Sequence, residues 1–211
     1  MYRFIIVTFI ASVAGQLQFE GACDFNSTDS VTNLNATQLQ GDWHILRRIA
    51  SENETGQCAF STISGVTNSN GVFSSAQFEI RQVVNKKVVS RKATVTTGSG
   101  NQLVFTFPDE TFSGVVLATD NIGYVLLYGC NNLQNDTRRN VRAWQFSRSD
   151  QYTTAQSTAV NAAVNANADL RNAVWETLGF NKTDCDTSSA VTITSPVILS
   201  LVLYSLFAKL I

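Results

Sequence analysis

The sequence predicts a mainly β protein: an eight-stranded antiparallel up-and-down barrel with one C-terminal α-helix packed outside. Three observations carry that expectation. Between Trp43 and Arg148 the chain is a succession of short runs rich in Val, Phe, Ile and Thr, the composition of strands. The runs are separated by clusters such as "TNSNG", "GSGN" and "PDE", which is turn chemistry. No helical pattern intervenes to allow parallel crossovers.

In order, the runs are "DWHILRRI", "CAFSTISGV", "GVFSSAQFEIRQVV", "KKVVSRKATVTT", "NQLVFTF", "TFSGVVLAT", "YVLLYGC" and "VRAWQFSRS". A helical pattern follows from about Thr154 to Leu178, where Val160, Val164, Leu170, Val174 and Leu178 fall near helical spacing and Gly179 offers a stop. Eight strands with short connections favour a closed barrel over a sandwich, because closure leaves no open edge and an interior for one small ligand. Interior positions alternate along each strand. Phe73, Leu103, Phe105, Phe107, Tyr124 and Leu126 supply large apolar side chains at that period, so they are the expected lining of the cup.

The two ends of the chain stand apart from the barrel. Residues 1–15, "MYRFIIVTFIASVAG", have an early Arg, an apolar run and small residues at the end, the layout of a secretory signal peptide. The far end, "PVILSLVLYSLFAKLI", is an apolar run of about 15 residues, short of the ~20 that span a bilayer. Lys209 lies inside that run and no basic stub follows it. Small residues, a polar spacer and an apolar terminus form the signal for a glycosylphosphatidylinositol (GPI) anchor, with Ser188 as the attachment site and residues 189–211 removed. A single-pass helix is the alternative. The domain proper is then residues 16–188, enough for one sizeable core.

The formal charge is −1, from 15 basic and 16 acidic residues without a basic block, which removes the electrostatic footprint of a nucleic-acid binder. Asn26, Asn35, Asn53, Asn135 and Asn181 are each followed two places on by Thr, the acceptor pattern for N-glycosylation. In the oxidising compartment that the leader implies, Cys23, Cys58, Cys130 and Cys185 are expected to pair, and composition leaves all three pairings open. No Cys-x-x-Cys spacing and a single His give no ligand set for a metal, and no cofactor is expected.

Three short motifs resemble those of the lipocalins. Gly41, Asp42 and Trp43 match the Gly-x-Trp that opens the first barrel strand. Thr119 and Asp120, in "LATDNIGYVLLYGC", match the Thr-Asp-Tyr between the sixth and seventh strands, with Asn121 where the family prefers Tyr. Arg148, in "AWQFSRS", matches the Arg that closes the last strand. The likeness covers about Cys23 to Cys185 and is greatest to the apolipoprotein D and Lazarillo branch. It implies the pairs Cys23 with Cys130 and Cys58 with Cys185, and a GPI tail of the Lazarillo kind. It also implies that Trp43 plugs the closed end under Arg148, and that "ASENETGQ" and "NNLQNDTRRN" lie at the open mouth.

His44 stands beside the motif Trp without an evident carboxylate or Ser relay, so neither catalysis nor haem ligation is expected of it. Thiol catalysis of the kind one lipocalin performs needs an unpaired Cys. The chain is therefore expected to be no enzyme. It is expected to be an extracellular, surface-tethered carrier of a small hydrophobic ligand of the lipid, retinoid, sterol or bilin class, its partners being that ligand and the outer leaflet. The alternative is a GPI-anchored recognition or adhesion protein in cell or axon guidance, with a cell-surface protein as partner.

Overall fold

The structure, a computed structural model, describes residues 17–25, 28–32, 34–49, 53–69, 72–133 and 135–187. The leader, Asn26, Ser188 and the apolar tail lie outside these. Eight strands form the barrel: β2 (Gly41–Ile49), β3 (Gln57–Ser69), β4 (Val72–Val84), β5 (Lys87–Thr97), β6 (Leu103–Thr106), β7 (Thr111–Thr119), β8 (Tyr124–Leu133) and β9 (Arg138–Ser147). Each pairs antiparallel with the next, and β9 closes on β2 from His44↔Ser147 to Ile49↔Ala143. Two short strands extend the eight that the sequence predicts. β1 (Leu17–Glu20) adds to β9, and β10 (Glu176–Thr177) adds to β2.

Turn chemistry sets the strand ends. β4 and β5 are joined by Asn85 and Lys86, both at positive φ, the conformation of a two-residue hairpin loop. Between Ile45 and Arg47 the β2–β9 register shifts, leaving Arg48 opposite Trp144. The bulge therefore turns Arg48 onto the face of the sheet that Trp144 shares.

Apolar side chains fill two compartments. Inside the barrel are Trp43, Ile45, Phe78, Ile80, Val95, Phe105, Phe107, Phe112, Val116, Leu127, Trp144 and Phe146. Outside it, Ile49, Val115, Tyr128, Val141 and Leu170 form a second cluster, joined by Phe19, Phe25, Val164 and Trp175. This outer cluster is what the helix α1 (Thr154–Ala166) and the N-terminal segment cover.

The helix is shorter than its apolar spacing predicts. It begins with a capping box, in which Gln156 N donates to Thr153 Oγ1 and Thr153 N donates to Gln156 Oε1. It stops at Ala166, because Asn167 takes an extended conformation and its side chain accepts from the backbone N–H groups of Asp169 and Leu170. That is the local bond by which Asn competes with a helix. Asp169 is then held by Tyr128 Oη at 2.8 Å and by Arg139 at 2.7 Å. Leu170 and Leu178 are buried from irregular chain and Val174 is 90% exposed, so their helical spacing is coincidental.

Two disulfides complete the fold. Cys23–Cys130 fastens the N-terminal segment to β8, and Cys58–Cys185 fastens the C-terminal segment to β3. No helix among the described residues is long and apolar enough to cross a membrane.

Candidate ligand-binding site

The closed end of the barrel is built around one cation. The Arg148 guanidinium lies 3.8 Å above the Trp43 ring and donates to the carbonyls of Gln38, Gln40, Asp42 and Ile122 at 2.7 to 3.2 Å. Trp43 Nε1 donates to Leu39 O at 2.8 Å. Gly41 has φ +100, and a Cβ there would approach Arg148 Nη1 to 3.1 Å. The motif glycine thus supplies both a left-handed turn and room for the guanidinium.

The β7–β8 turn is the second part of the same closure. Partial burial pushes the Asp120 carboxyl up, but Oδ1 accepts from the backbone N–H groups of Gly123, Ile122 and Tyr124, and the net result holds it below its ordinary value. Thr119 Oγ1 donates to Tyr124 O. Asn121, where Tyr was the family preference, has φ +63 and accepts from Asn35 N at 2.9 Å. Asn tolerates that conformation better than an aromatic residue and ties the turn to the segment crossing the barrel base.

Above Trp43 lies an apolar cavity of about 70 Å³. Leu34, Leu39, Val66, Phe73, Phe78, Leu103, Phe105, Val116, Val125, Leu127 and Phe146 line it, with Ser61 as the polar member of the wall. Of the expected lining, Phe73, Leu103 and Phe105 are therefore at the cavity. Phe107 is inside the barrel, but higher, among the core side chains. Tyr124 and Leu126 need correction: Val125 and Leu127 face inward on β8, so Tyr124 and Leu126 alternate outward. Tyr124 packs edge-on to Tyr152, outside the barrel.

A charged layer lies above the cavity. Phe105 stacks on Phe112 at 4.8 Å, and Phe112 stacks on Trp144 at 5.5 Å. Arg142 lies 4.7 Å over the Phe112 ring, and Arg91 lies 4.4 Å over that of Phe107. Gly129 makes this possible, because a Cβ there would come within 2.9 Å of Arg142 Cγ and 3.0 Å of the Phe112 ring. Glu110 accepts from Arg142 at 2.9 Å and from Arg91 at 3.1 Å, and Asp109 accepts from Arg91 at 2.7 Å.

Arg48, fully buried, donates to Glu176 at 2.8 Å, Gln82 at 3.0 Å and Gly56 O at 2.7 Å. Glu54 completes the layer with its carboxyl buried and accepting from Trp144 Nε1 at 2.7 Å. Burial pushes its pKa up, against the lowering by that hydrogen bond and by Arg48, Arg142 and Arg91. Sequence reasoning missed this layer, because a charged residue in a strand is ordinarily on its wet face. The available signal was parity. Arg142 precedes Trp144 and Phe146 by steps of two, and Arg91 so precedes Ala93 and Val95.

The remaining candidates lie outside the cup. The His44 ring packs 4.7 Å from Phe60 and 4.9 Å from Phe180. Asn35, Asn53, Asn135 and Asn181 are exposed. Asn53 Nδ2 donates to Asp109 Oδ2, which brings the β2–β3 and β6–β7 connections together at one end of the barrel. Among the described residues no cluster of His, Cys, Asp or Glu could hold a metal ion.

No family model matches the chain. Insecticyanin-B of Manduca sexta is 26% identical over 163 residues, which is 71% of this chain and 75% of that protein. The structure of insecticyanin from the tobacco hornworm Manduca sexta superposes with a TM-score of 0.67 at 19% identity, covering 82% of this chain and 94% of that one. Lobster apocrustacyanin A1 superposes with a TM-score of 0.58 at 14% identity, over 78% and 93%. The closed eight-stranded barrel with its outer helix, plugged by Trp43 beneath Arg148, is the lipocalin fold.

Proposed function

We propose that this chain is an extracellular lipocalin of the apolipoprotein D and Lazarillo kind that carries a small hydrophobic ligand in its barrel. The observation that carries this reading is the apolar cavity, sealed from below by Trp43 and Arg148. Native mass spectrometry of the secreted protein, with organic extraction of what copurifies, tests it. A noncovalent apolar adduct in fixed stoichiometry is expected, and an empty barrel that takes up no apolar probe would overturn the reading.

The chain is further proposed to be glycosylated and held on the outer leaflet by a GPI anchor near Ser188, with residues 1–15 and 189–211 removed. Exposure of four sequon asparagines supports the first part. The anchor rests on the sequence of the tail. Because Cys185 is paired with Cys58, cleavage must fall after it. Treatment of intact cells with a phosphatidylinositol-specific phospholipase should release the protein without its apolar terminus. Retention with that terminus attached would favour a single-pass helix.

One observation favours the second reading, a surface recognition protein acting without an obligatory ligand. The cavity of about 70 Å³ is small beside the ~300 to 1,000 Å³ of ordinary ligand pockets. The same mass spectra discriminate, since an adhesion module would be recovered empty and still bind cells.

A further inference from the structure

We infer that the cleft between helix α1 and the N-terminal segment, on the outside of the barrel, is a second binding site, and that it takes a small organic ammonium ion with an apolar body. The cleft is separate from the barrel cavity, so the inference does not rest on the carrier reading.

The cleft encloses about 590 Å³, against about 70 Å³ for the cavity inside the barrel, and only the larger falls within the ~300 to 1,000 Å³ of ordinary ligand pockets. It follows from the sequence of the helix. Val160 is the fully buried residue of α1, whereas Ala159, Ala162, Ala163 and Ala166, at steps of three and four, give the cleft a face of methyl groups. Larger side chains on that face would fill the space, and alanines leave it open. The other wall is the N-terminal segment, through Ala22, Asp24, Thr28 and Asp29. It is fastened by the Cys23–Cys130 disulfide and by Thr28 Oγ1, which donates to Asp24 O at 2.7 Å. Both walls are thus in place before a ligand arrives, which spares the cost of ordering them on binding.

The charges of the lining select the ligand. The carboxylates of Asp24, Asp29 and Asp169 stand there with a single guanidinium, that of Arg139. Arg139 is spent within the floor: Nε and Nη2 donate to Asp169 at 3.1 and 2.7 Å, and Nη1 donates to the backbone carbonyls of Glu20 and Gly21. Tyr128 Oη also donates to Asp169, at 2.8 Å, so that carboxylate is satisfied. Asp29 is exposed and has no hydrogen-bond or ion-pair partner among the described residues. The carbonyl end of α1 reaches the same cleft through Ala166 and Asn167. It is the negative pole of the helix dipole, and no basic residue in the last turn offsets it.

Negative charge is therefore left over beside an apolar wall, and a cleft with low-dielectric walls focuses such a field on what it admits. An anion would be repelled, and a neutral molecule would leave the field unanswered. Among the described residues the carboxylates form no ligand set for a metal ion. An ammonium group on a short apolar body meets both the charge and the wall.

The test is calorimetric titration of the full chain, expressed through a secretory pathway, with hexylamine (protonated at neutral pH), 1-hexanol and hexanoate. The three share an apolar chain and differ in charge. Hexylamine is expected to bind at least ten-fold more tightly than 1-hexanol, and hexanoate least. Asp29→Asn should weaken hexylamine at least three-fold and leave 1-hexanol unchanged. Ala162→Phe, which fills the cleft from an exposed position on the helix, should weaken hexylamine at least ten-fold. Equal affinities for hexylamine and 1-hexanol, full hexylamine affinity in Ala162→Phe, or no binding of hexylamine would each overturn the inference. If Ala162→Phe does not fold, the three probes in the unaltered protein and in Asp29→Asn decide the matter.

Discussion

At the closed end of the barrel one guanidinium, that of Arg148, is met by four backbone carbonyls and the face of Trp43. Towards the mouth, Arg91 and Arg142 are met by the side-chain carboxylates of Asp109 and Glu110 and by the faces of Phe107 and Phe112. Both ends use a cation over an aromatic ring, but only backbone acceptors are fixed by the fold. Carboxylates on side chains can turn away or be joined by another. The same residue type therefore closes the barrel through the backbone at one end and through side-chain ion pairs at the other.

The largest expected effect separates the two ends by stability. Trp43→Ala removes the buried plug and should cost ~3 to 5 kcal/mol, read by denaturant unfolding. Opening the C-terminal tie with Cys58→Ser and Cys185→Ser together should cost ~2 to 4 kcal/mol, measured the same way, since that bridge spans 127 positions of sequence. If Trp43→Ala left the unfolding midpoint in place, the closed end would not be the structural end.

At the mouth the sign reverses. Burial raises the pKa of Glu54 above its ordinary 4.5, so the folded state holds this proton more tightly than the unfolded chain does. Its contribution is complete below the unfolded value and is lost as pH rises from there through the raised folded value. Glu54→Gln keeps an acceptor for Trp144 Nε1 without the ionisation. Its stability relative to the unaltered protein should increase as pH rises through that window and level off above it. A difference that stays flat with pH would place the Glu54 carboxyl in water. The smallest effect belongs to His44→Ala, outside the cup, which loses two ring contacts worth ~0.5 to 1.5 kcal/mol and should leave ligand binding unchanged.

The legibility of the sequence also differs between regions. The motif residues at the closed end were readable because each does a job that few residues can do, such as Gly41 at positive φ and Trp43 under a cation. The inward parity of β8 was hidden because Val125 to Cys130 are all buried, on one side by the barrel interior and on the other by the outer cluster. A strand covered on both faces loses the alternation that would reveal its orientation. The end of the helix was hidden for a related reason. Leu170 and Leu178 are buried by packing against the barrel, so apolar spacing persisted after Asn167 had ended the helix. The charged layer was missed because its arginines look like surface residues until the partners of their strands are known.

The contrast between the two ends is tested most directly by comparing the thermal stability of Arg148→Gln with that of Arg91→Gln. Arg148→Gln should lose ~2 to 3 kcal/mol through carbonyls left without a donor and the missing cation–π contact. Arg91→Gln should melt nearer to the unaltered protein, because Asp109 reaches solvent and Glu110 keeps Arg142. The reverse order, in which Arg91→Gln loses more stability than Arg148→Gln, would contradict the assignment of the closed end as the structural end of the barrel.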